Sequence, residues 1–422
     1  MRVVVFAVRG LSAGWVGAYG NEWVETPHLD RVASEAAVFD RHYADRPDAD
    51  AARRAWRTGV DQTPAGTKPA THSPDLLAAL RAAGVRTAVV RANRAGNDGP
   101  SDYYAGWDEV FDARPDETAL ADALPPVLDR LAGSPDWLLW VETDALVPPW
   151  DIPTELFGDY FDSLSADEEE ADDEPAEYDG DVDPDEDYEG FTEIKPEGEL
   201  PELTPIDDPP VGPVDRDDLD VWNLLHASFA AAVTALDDAL GHIFELLRSR
   251  GLDEAAWVVT SDAGFPLGEH GLIGPHRPWL HEELVHLPLM VRMPGGETAG
   301  RRVDAFTQPA DLLPTLLGLF GVAPPAGVTG FDLRPLWQGA DGNRPHAVSA
   351  WEVGAAAESA IRTPEWALLL PASAEPDDPP RPPMLFARPD DRWEVTDLRQ
   401  PNLERAEELA AMLRALVERP ET

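Results

Sequence analysis

Six apolar residues, Val3-Val4-Val5-Phe6-Ala7-Val8, follow Met1-Arg2 without a polar break. Such a run has no polar face, and its β-branched content predicts a strand buried on both sides, as in the middle of a parallel sheet. Runs at 85–90, 137–142 and 256–260 read as further strands. Between them the period changes to that of helices. Thr26 and Pro27 mark a helix start that continues through Ala33, because a hydroxyl caps the first turn and the proline ring fits it. Leu76, Leu77, Leu80 and Ala83 recur at helical spacing within 73–83, a stretch that stops at Gly84. Residues 222–250 read as one long amphipathic helix. Strands alternating with helices predict an α/β fold, a doubly wound and mostly parallel sheet flanked by helices, over residues 1–340. In such sheets ligands lie beyond the carboxyl ends of the strands. Those ends are Arg9-Gly10, 91–94, 142–147 and Asp262-Ala263.

After about residue 340 the pattern shifts. Short strand-like runs at 347–351, 366–370 and 384–387 precede a helical stretch at 403–417. They predict a small C-terminal α+β subdomain over 341–422, an antiparallel sheet packed with one helix.

Residues 162–220 fit neither pattern. They hold 26 acidic residues against two basic ones, Lys195 and Arg216, and predict an acidic disordered insert. This segment carries about half of the net charge of −47 that 80 acidic and 33 basic residues leave on the chain. So acidic a surface repels phosphate backbones and anionic lipid, so neither nucleic acid nor membrane is an expected partner. The run itself is a solvated loop, a weak calcium binder or a mimic of an anionic partner that contacts protein. Cysteine is absent, which excludes disulfides, thiolate metal sites and cysteine nucleophiles. The opening apolar run is too short for a secretory leader or a membrane span, so a cytoplasmic location is expected.

Several stretches, in order and spacing, resemble one family. Val16-Gly17-Ala18-Tyr19-Gly20 and Thr26-Pro27-His28-Leu29-Asp30-Arg31 resemble L-G-x-Y-G and T-P-N-L-D-R. Ala83-Gly84-Val85-Arg86-Thr87-Ala88 and Gly106-Trp107-Asp108-Glu109 resemble A-G-Y-x-T-A and G-F-D-E. Ser261-Asp262-Ala263-Gly264 and Leu267-Gly268-Glu269-His270-Gly271-Leu272 resemble S-D-H-G and L-G-E-H-G-L. Leu280-His281-Glu282-Glu283 and Pro288-Leu289-Met290-Val291-Arg292 resemble L-Y-E-E and P-L-I-V-R. Together they resemble the sulfatases of the alkaline-phosphatase superfamily. The resemblance implies an alkaline-phosphatase-like fold and hydrolysis of sulfuric esters. It also implies a formylglycine nucleophile made from Cys or Ser in C/S-x-P-S-R…T-G, and a Ca2+ or Mg2+ ion held by oxygen ligands.

Carried over position by position, the chemistry is missing. Thr58-Gly59 anchors the nucleophile motif, which puts Ala49 at the nucleophile and Arg53 at its arginine. No Ser, Cys or Thr lies between Arg41 and Arg57. The family's metal-binding Asp pair falls on Arg9-Gly10, and the later pair on Asp262-Ala263, leaving one carboxylate. The sulfate-contacting G-K-W-H falls on Arg91-Ala92-Asn93-Arg94, and the P-H-x-P loop on Leu146-Val147-Pro148-Pro149. The late substrate lysine falls on Arg277, beside His276. A cation at Arg9 repels a bound metal ion, whereas a salt bridge from Arg9 to Asp262 is expected at adjacent strand ends. Arg9, Arg53, Arg91, Arg94 and Arg277 either line an oxyanion pocket or pair with carboxylates. The reading is a sulfatase-family protein without catalysis or cofactor, with a sulfate ester or small oxyanion as its possible ligand. One alternative is an active sulfate or phosphate ester hydrolase whose rearranged site uses Asp262, His270, His276 and Arg277, with Ca2+ or Mg2+ if the metal site survives. The other is an acidic protein-interaction module built on 162–220.

Overall fold

The computed structural model describes residues 1–63, 75–93, 103–113, 119–172, 204–215, 218–275, 278–373 and 381–417. In chain order the strands are β1 (Arg2–Gly10), β2 (Ala37–His42), β3 (Arg86–Ala92), β4 (Glu109–Asp112), β5 (Trp137–Thr143), β6 (Gly212–Pro213), β7 (Ala256–Gly264), β8 (Leu272–Ile273), β9 (Leu289–Arg292), β10 (Arg301–Thr307), β11 (Ala347–Val353), β12 (Ala356–Arg362), β13 (Trp366–Ser373) and β14 (Met384–Ala387). The helices are α1 (Pro27–Glu35), α2 (Ala49–Thr58), α3 (Leu76–Ala82), α4 (Ala119–Leu131), α5 (Thr154–Asp172), α6 (Leu219–Ser249), α7 (Glu282–Val285), α8 (Leu312–Leu319), α9 (Arg334–Trp337) and α10 (Leu403–Val417).

Eight strands form the main sheet in the order β10-β2-β9-β7-β1-β5-β3-β4. All pairings are parallel except those of β9, which is antiparallel to β2 and to β7. β1 lies in the middle, in register with β5 (Val5 opposite Trp140) and β7 (Val5 opposite Val258). Its side chains alternate between two cores. Val4, Phe6 and Val8 pack with α6, and Val3, Val5 and Ala7 pack with α2 and α8. Burial on both faces explains why β1 shows no polar alternation. On the α6 side, Phe244 meets Phe6 edge-on at 5.2 Å and stacks on Trp257 at 5.4 Å. Each such side chain removed from water contributes about 1.5–3 kcal/mol.

α6 is capped by Asp218, whose carboxylate accepts from the Val221 N–H at 3.2 Å. It is the one described helix long and apolar enough to cross a membrane, yet 72% of its apolar window is buried inside the fold. Within it His226 is 5% exposed and stacks on Trp222 at 3.7 Å, with Nε2 at 3.2 Å from the Leu267 carbonyl. Burial pushes its pKa down to about 4. An unfolded histidine titrates near pH ~6.5, so between those values the unfolded state binds a proton that the native state refuses. The contribution of His226 is therefore full above pH ~6.5 and falls as pH drops towards its folded value. His226→Gln should flatten the decline of Tm on acidification. An unchanged slope would show that the imidazole protonates equally in both states.

The C-terminal sheet has the antiparallel order β11-β12-β13-β14. One face packs Ile361, Leu368 and Leu385 against Leu409 and Leu413 of α10. The other packs Trp351, Leu369 and Phe386 against Tyr43, Leu284 and Leu287 of the main domain. The small sheet packed with one helix is as expected. The acidic insert is shorter at both ends than its composition suggests. α5 runs through Asp172, since Glu and Leu are good helix formers and the helix is already anchored by Phe157 and Tyr160. Residues 204–215 are held by the Ile206 N–H on Ser228 Oγ at 2.9 Å, by the Trp150 N–H on the Asp207 carbonyl at 2.7 Å, and by β6 pairing with β8. α6 begins at Leu219, three residues before its expected start. Residues 173–203 lie outside the described residues.

Candidate functional site

Counting places the inherited site at the carboxyl ends of β1, β3, β5 and β7 and at the start of α2, and the fold brings these together. Asp48 caps α2 by accepting from the Ala51 N–H at 2.8 Å, which leaves Ala49 as the first helical residue, a methyl group at the position that counting assigns to the family's nucleophile. One turn on, Arg53 is 2% exposed. Its guanidinium is bound by Glu142 at the end of β5, with Nε donating to Oε1 at 3.1 Å and Nη2 donating to the same oxygen. Tyr104 adds a hydroxyl bond to Glu142 Oε1 at 2.9 Å, and Asn93 approaches the Tyr104 hydroxyl at 3.1 Å. Burial and the neighbouring Glu142 charge push the Tyr104 phenol far above its ordinary range, so it stays a neutral donor. Arg53 and Glu142 thus neutralise each other inside the protein.

The expected Arg9–Asp262 salt bridge forms, with Nε 3.2 Å from Oδ2. Asp262 Oδ1 accepts from the Gly10 N–H at 3.2 Å and from the Ala263 N–H at 2.7 Å. Gly10 has φ +84°, and a Cβ there would lie 2.8 Å from the Leu146 carbonyl oxygen. The loop that replaces P-H-x-P therefore occupies the space an aspartate side chain would need. These residues do not fit the family's calcium or magnesium ion. Of the counted ligand positions one carboxylate, Asp262, remains; its oxygens are bonded to an arginine and two amides, and a side chain at the Gly10 position would collide with the Leu146 backbone.

The other predicted residues separate. Arg91 pairs with Asp112 at the end of β4 and lies 4.4 Å over the Tyr104 ring. Arg9, Arg53 and Arg91 each face a carboxylate, so they do not form an open basic pocket. Arg94, His276 and Arg277 lie outside the described residues. His270 takes part in a different site. Its Nδ1 is 2.8 Å from Glu283 Oε1 and its Nε2 is 3.1 Å from the Glu394 carbonyl. Burial works against its charge, but Glu283 outweighs burial and pushes the imidazole up to about 9. His270 and Glu283 line a cavity of about 500 Å³ walled by Trp15, Trp23, Trp222 and Trp393. Ala49, Arg53, Arg9 and Asp262 do not line it.

An eight-stranded, mostly parallel sheet with its site at the carboxyl strand ends, and an antiparallel C-terminal subdomain docked on it, is the alkaline-phosphatase-like fold. The family model for Sulfatase matches residues 3–322, and the chain belongs to the sulfatase family. An N-acetylglucosamine-6-O-sulfatase of Bacteroides thetaiotaomicron is 36% identical over 109 residues, 26% of this chain and 19% of that protein. A multifunctional alkaline phosphatase superfamily protein of Trinickia caryophylli is 31% identical over 113 residues, 26% of this chain and 22% of its own length. The matched stretches thus span about a fifth of these relatives. The phosphonate monoester hydrolase of Agrobacterium radiobacter superposes with TM-score 0.69 at 18% identity, covering 98% of this chain and 95% of that one. A protein solved with its substrate D-glucosamine-2-N,6-O-disulfate gives TM-score 0.72 at 19% identity, covering 99% and 96%.

Nothing in the sequence singles out Glu142 as the partner of Arg53, since it reads as the polar end of an apolar strand 89 residues away. His281, Glu282 and Glu283 read as a scaffold motif, and Glu394 carried no signal at all. Only the tertiary fold brings Glu394 to residues 270–283.

Proposed function

We propose that this sulfatase-family protein no longer hydrolyses esters at the inherited position. The observation that carries this reading is the mutual neutralisation of the site: Arg53 with Glu142, and Arg9 with Asp262, around an alanine at the nucleophile position. Ala49 offers no hydroxyl to attack sulfur, and the counted metal positions offer no carboxylate pair to hold a cation and offset charge on the sulfate oxygens. Family membership supports a sulfate ester or a small oxyanion as the ligand class. The acidic stretch 162–220 supports a protein contact by its charge alone.

The test is hydrolysis of 4-nitrophenyl sulfate and 4-nitrophenyl phosphate by the full chain, alongside thermal shift in calcium and magnesium. Turnover is expected to match the uncatalysed rate. Tm should respond to either ion equally in the chain and in Asp262→Ala, because an ion that binds only the native state must stabilise it. Turnover lost in Arg53→Ala, or a shift abolished by Asp262→Ala, would overturn the proposal. A rearranged hydrolase is favoured by one observation, the meeting of His270 and Glu283 on a 500 Å³ cavity. Its signature is turnover that survives Arg53→Ala and vanishes in His270→Ala.

A further inference from the structure

We propose that His270, His281 and Glu283 bind a divalent transition ion of the zinc class, away from the inherited catalytic position. One donor atom from each lies within 4.8 Å of the others. Two imidazoles and a carboxylate suit zinc, cobalt or nickel, whereas calcium and magnesium favour all-oxygen sites.

The surroundings prepare the donors. Glu394 Oε2 lies 2.9 Å from His281 Nδ1, and the Glu394 carbonyl lies 3.1 Å from His270 Nε2. A carbonyl and a carboxylate both accept, so each imidazole gives up one N–H to Glu394. That leaves the lone pair of His281 Nε2 and puts His270 Nδ1, the other ring nitrogen, toward Glu283. Metal-bound histidines hand their second N–H to a carboxylate or carbonyl in this way, which sets tautomer and ring direction. His281 is 1% exposed, and its Nε2 is buried without a hydrogen-bond partner. His270 Nδ1 instead meets Glu283 Oε1 at 2.8 Å, a proton bridge that an ion would replace.

Glu394 is itself held in an unusual way. It is the one non-glycine residue with positive φ among the described residues, at +55°. Such a conformation costs about 1–3 kcal/mol and persists only where its surroundings enforce it. Here Arg362 Nη2 fixes the other carboxylate oxygen, Oε1, at 2.7 Å. The Glu283 backbone packs closely on Gly264, where a Cβ would lie 1.9 Å from the Glu283 carbonyl oxygen. The cavity gives an ion a way in and leaves a coordination position open to a further ligand, since His270 and Glu283 line it. The two imidazoles lie face to face at 3.7 Å, tilted by 14°, so loading splays them to bring both lone pairs onto one ion. A second group, His28, Asp237 and Asp238, also lies within reach of an ion. Both Asp237 oxygens there are taken by the His28 and Leu29 N–H groups at 2.8 Å, which makes that group the control.

The probe is Co2+ added to the full chain, followed by zinc competition. Imidazole-bound cobalt of low coordination number gives an intense visible d–d band, while cobalt on the acidic stretch keeps six oxygens and absorbs weakly. One equivalent is expected to develop the band, and zinc to abolish it. His281→Ala and Glu283→Gln should each weaken binding more than about tenfold, and Glu394→Gln about 10–100-fold. His28→Ala should change nothing. Since some variants unfold, nitrogen-15 imidazole spectra of the unaltered chain give a second readout, in which stoichiometric zinc moves two histidine side chains. Either of two results overturns the proposal: no band together with unmoved imidazole resonances, or a band retained by folded His281→Ala and Glu283→Gln. Neither result bears on ester hydrolysis at the Arg53 position.

Discussion

Arg362→Leu is expected to cost the protein about 3–5 kcal/mol, the usual penalty for stranding a buried charge. Arg362 sits at the end of β12 with 1% of its surface exposed. It donates to Glu282 Oε1 at 2.6 Å, to Glu394 Oε1 at 2.7 Å and to the Leu280 carbonyl at 2.7 Å. Arg388 also reaches Glu282 Oε1 at 2.7 Å, but only Arg362 bonds both carboxylates. Glu282 belongs to the main domain, and Arg362, Arg388 and Glu394 to the C-terminal part, so the network fastens the subdomain to the sheet. Burial alone would raise the Glu282 pKa, yet Arg388 and Arg362 hold it well below the carboxylate range. A group depressed in this way stabilises above its unfolded pKa, and that stability is lost as pH falls through the folded value. Urea unfolding should therefore show a large drop in midpoint for the variant at neutral pH and a smaller one in acid. A midpoint within surface-substitution range would mean that the pair is not buried in solution.

Arg53→Met should be comparably damaging, at about 3–5 kcal/mol, because Glu142 is left charged, fully enclosed and short of its main donor. The informative variant is the double one. Arg53→Met with Glu142→Gln removes both charges while keeping side-chain volume, and should recover most of the loss. If the double variant is as unstable as the single, packing rather than charge sets the cost at this position. Neither result depends on catalysis, so the pair can be measured by unfolding alone.

The sheet was legible where burial is symmetrical. β1, β3, β5 and β7 lie inside it and read as apolar runs. β10 lies at its edge with the pattern Arg301-Arg302-Val303-Asp304-Ala305-Phe306-Thr307, and carries too many charges to show as a strand. α4 was hidden by Pro125 and Pro126 within it, and α2 by arginines that turn inward to ion pairs instead of outward to water. At the inherited site the positions could be counted because neighbours that match the family motifs number each one. The partners that these positions meet in the fold were not legible. Glu142, Leu146 and Glu394 act through contacts 89, 136 and 124 residues distant in sequence, a separation no local pattern encodes.

The two ion pairs also limit where this sequence can go by single substitutions. Arg9→Asp alone would set two carboxylates side by side at the strand ends, and Arg53 cannot be redirected to a substrate while Glu142 holds it. Gly10→Asp would collide with Leu146 before it could ligate anything. Under the proposed reading, each of these single steps toward a cation-dependent site costs stability before it gains a ligand. On that reading the pairs work as a ratchet: each is satisfied while complete, and undoing one side strands the other charge.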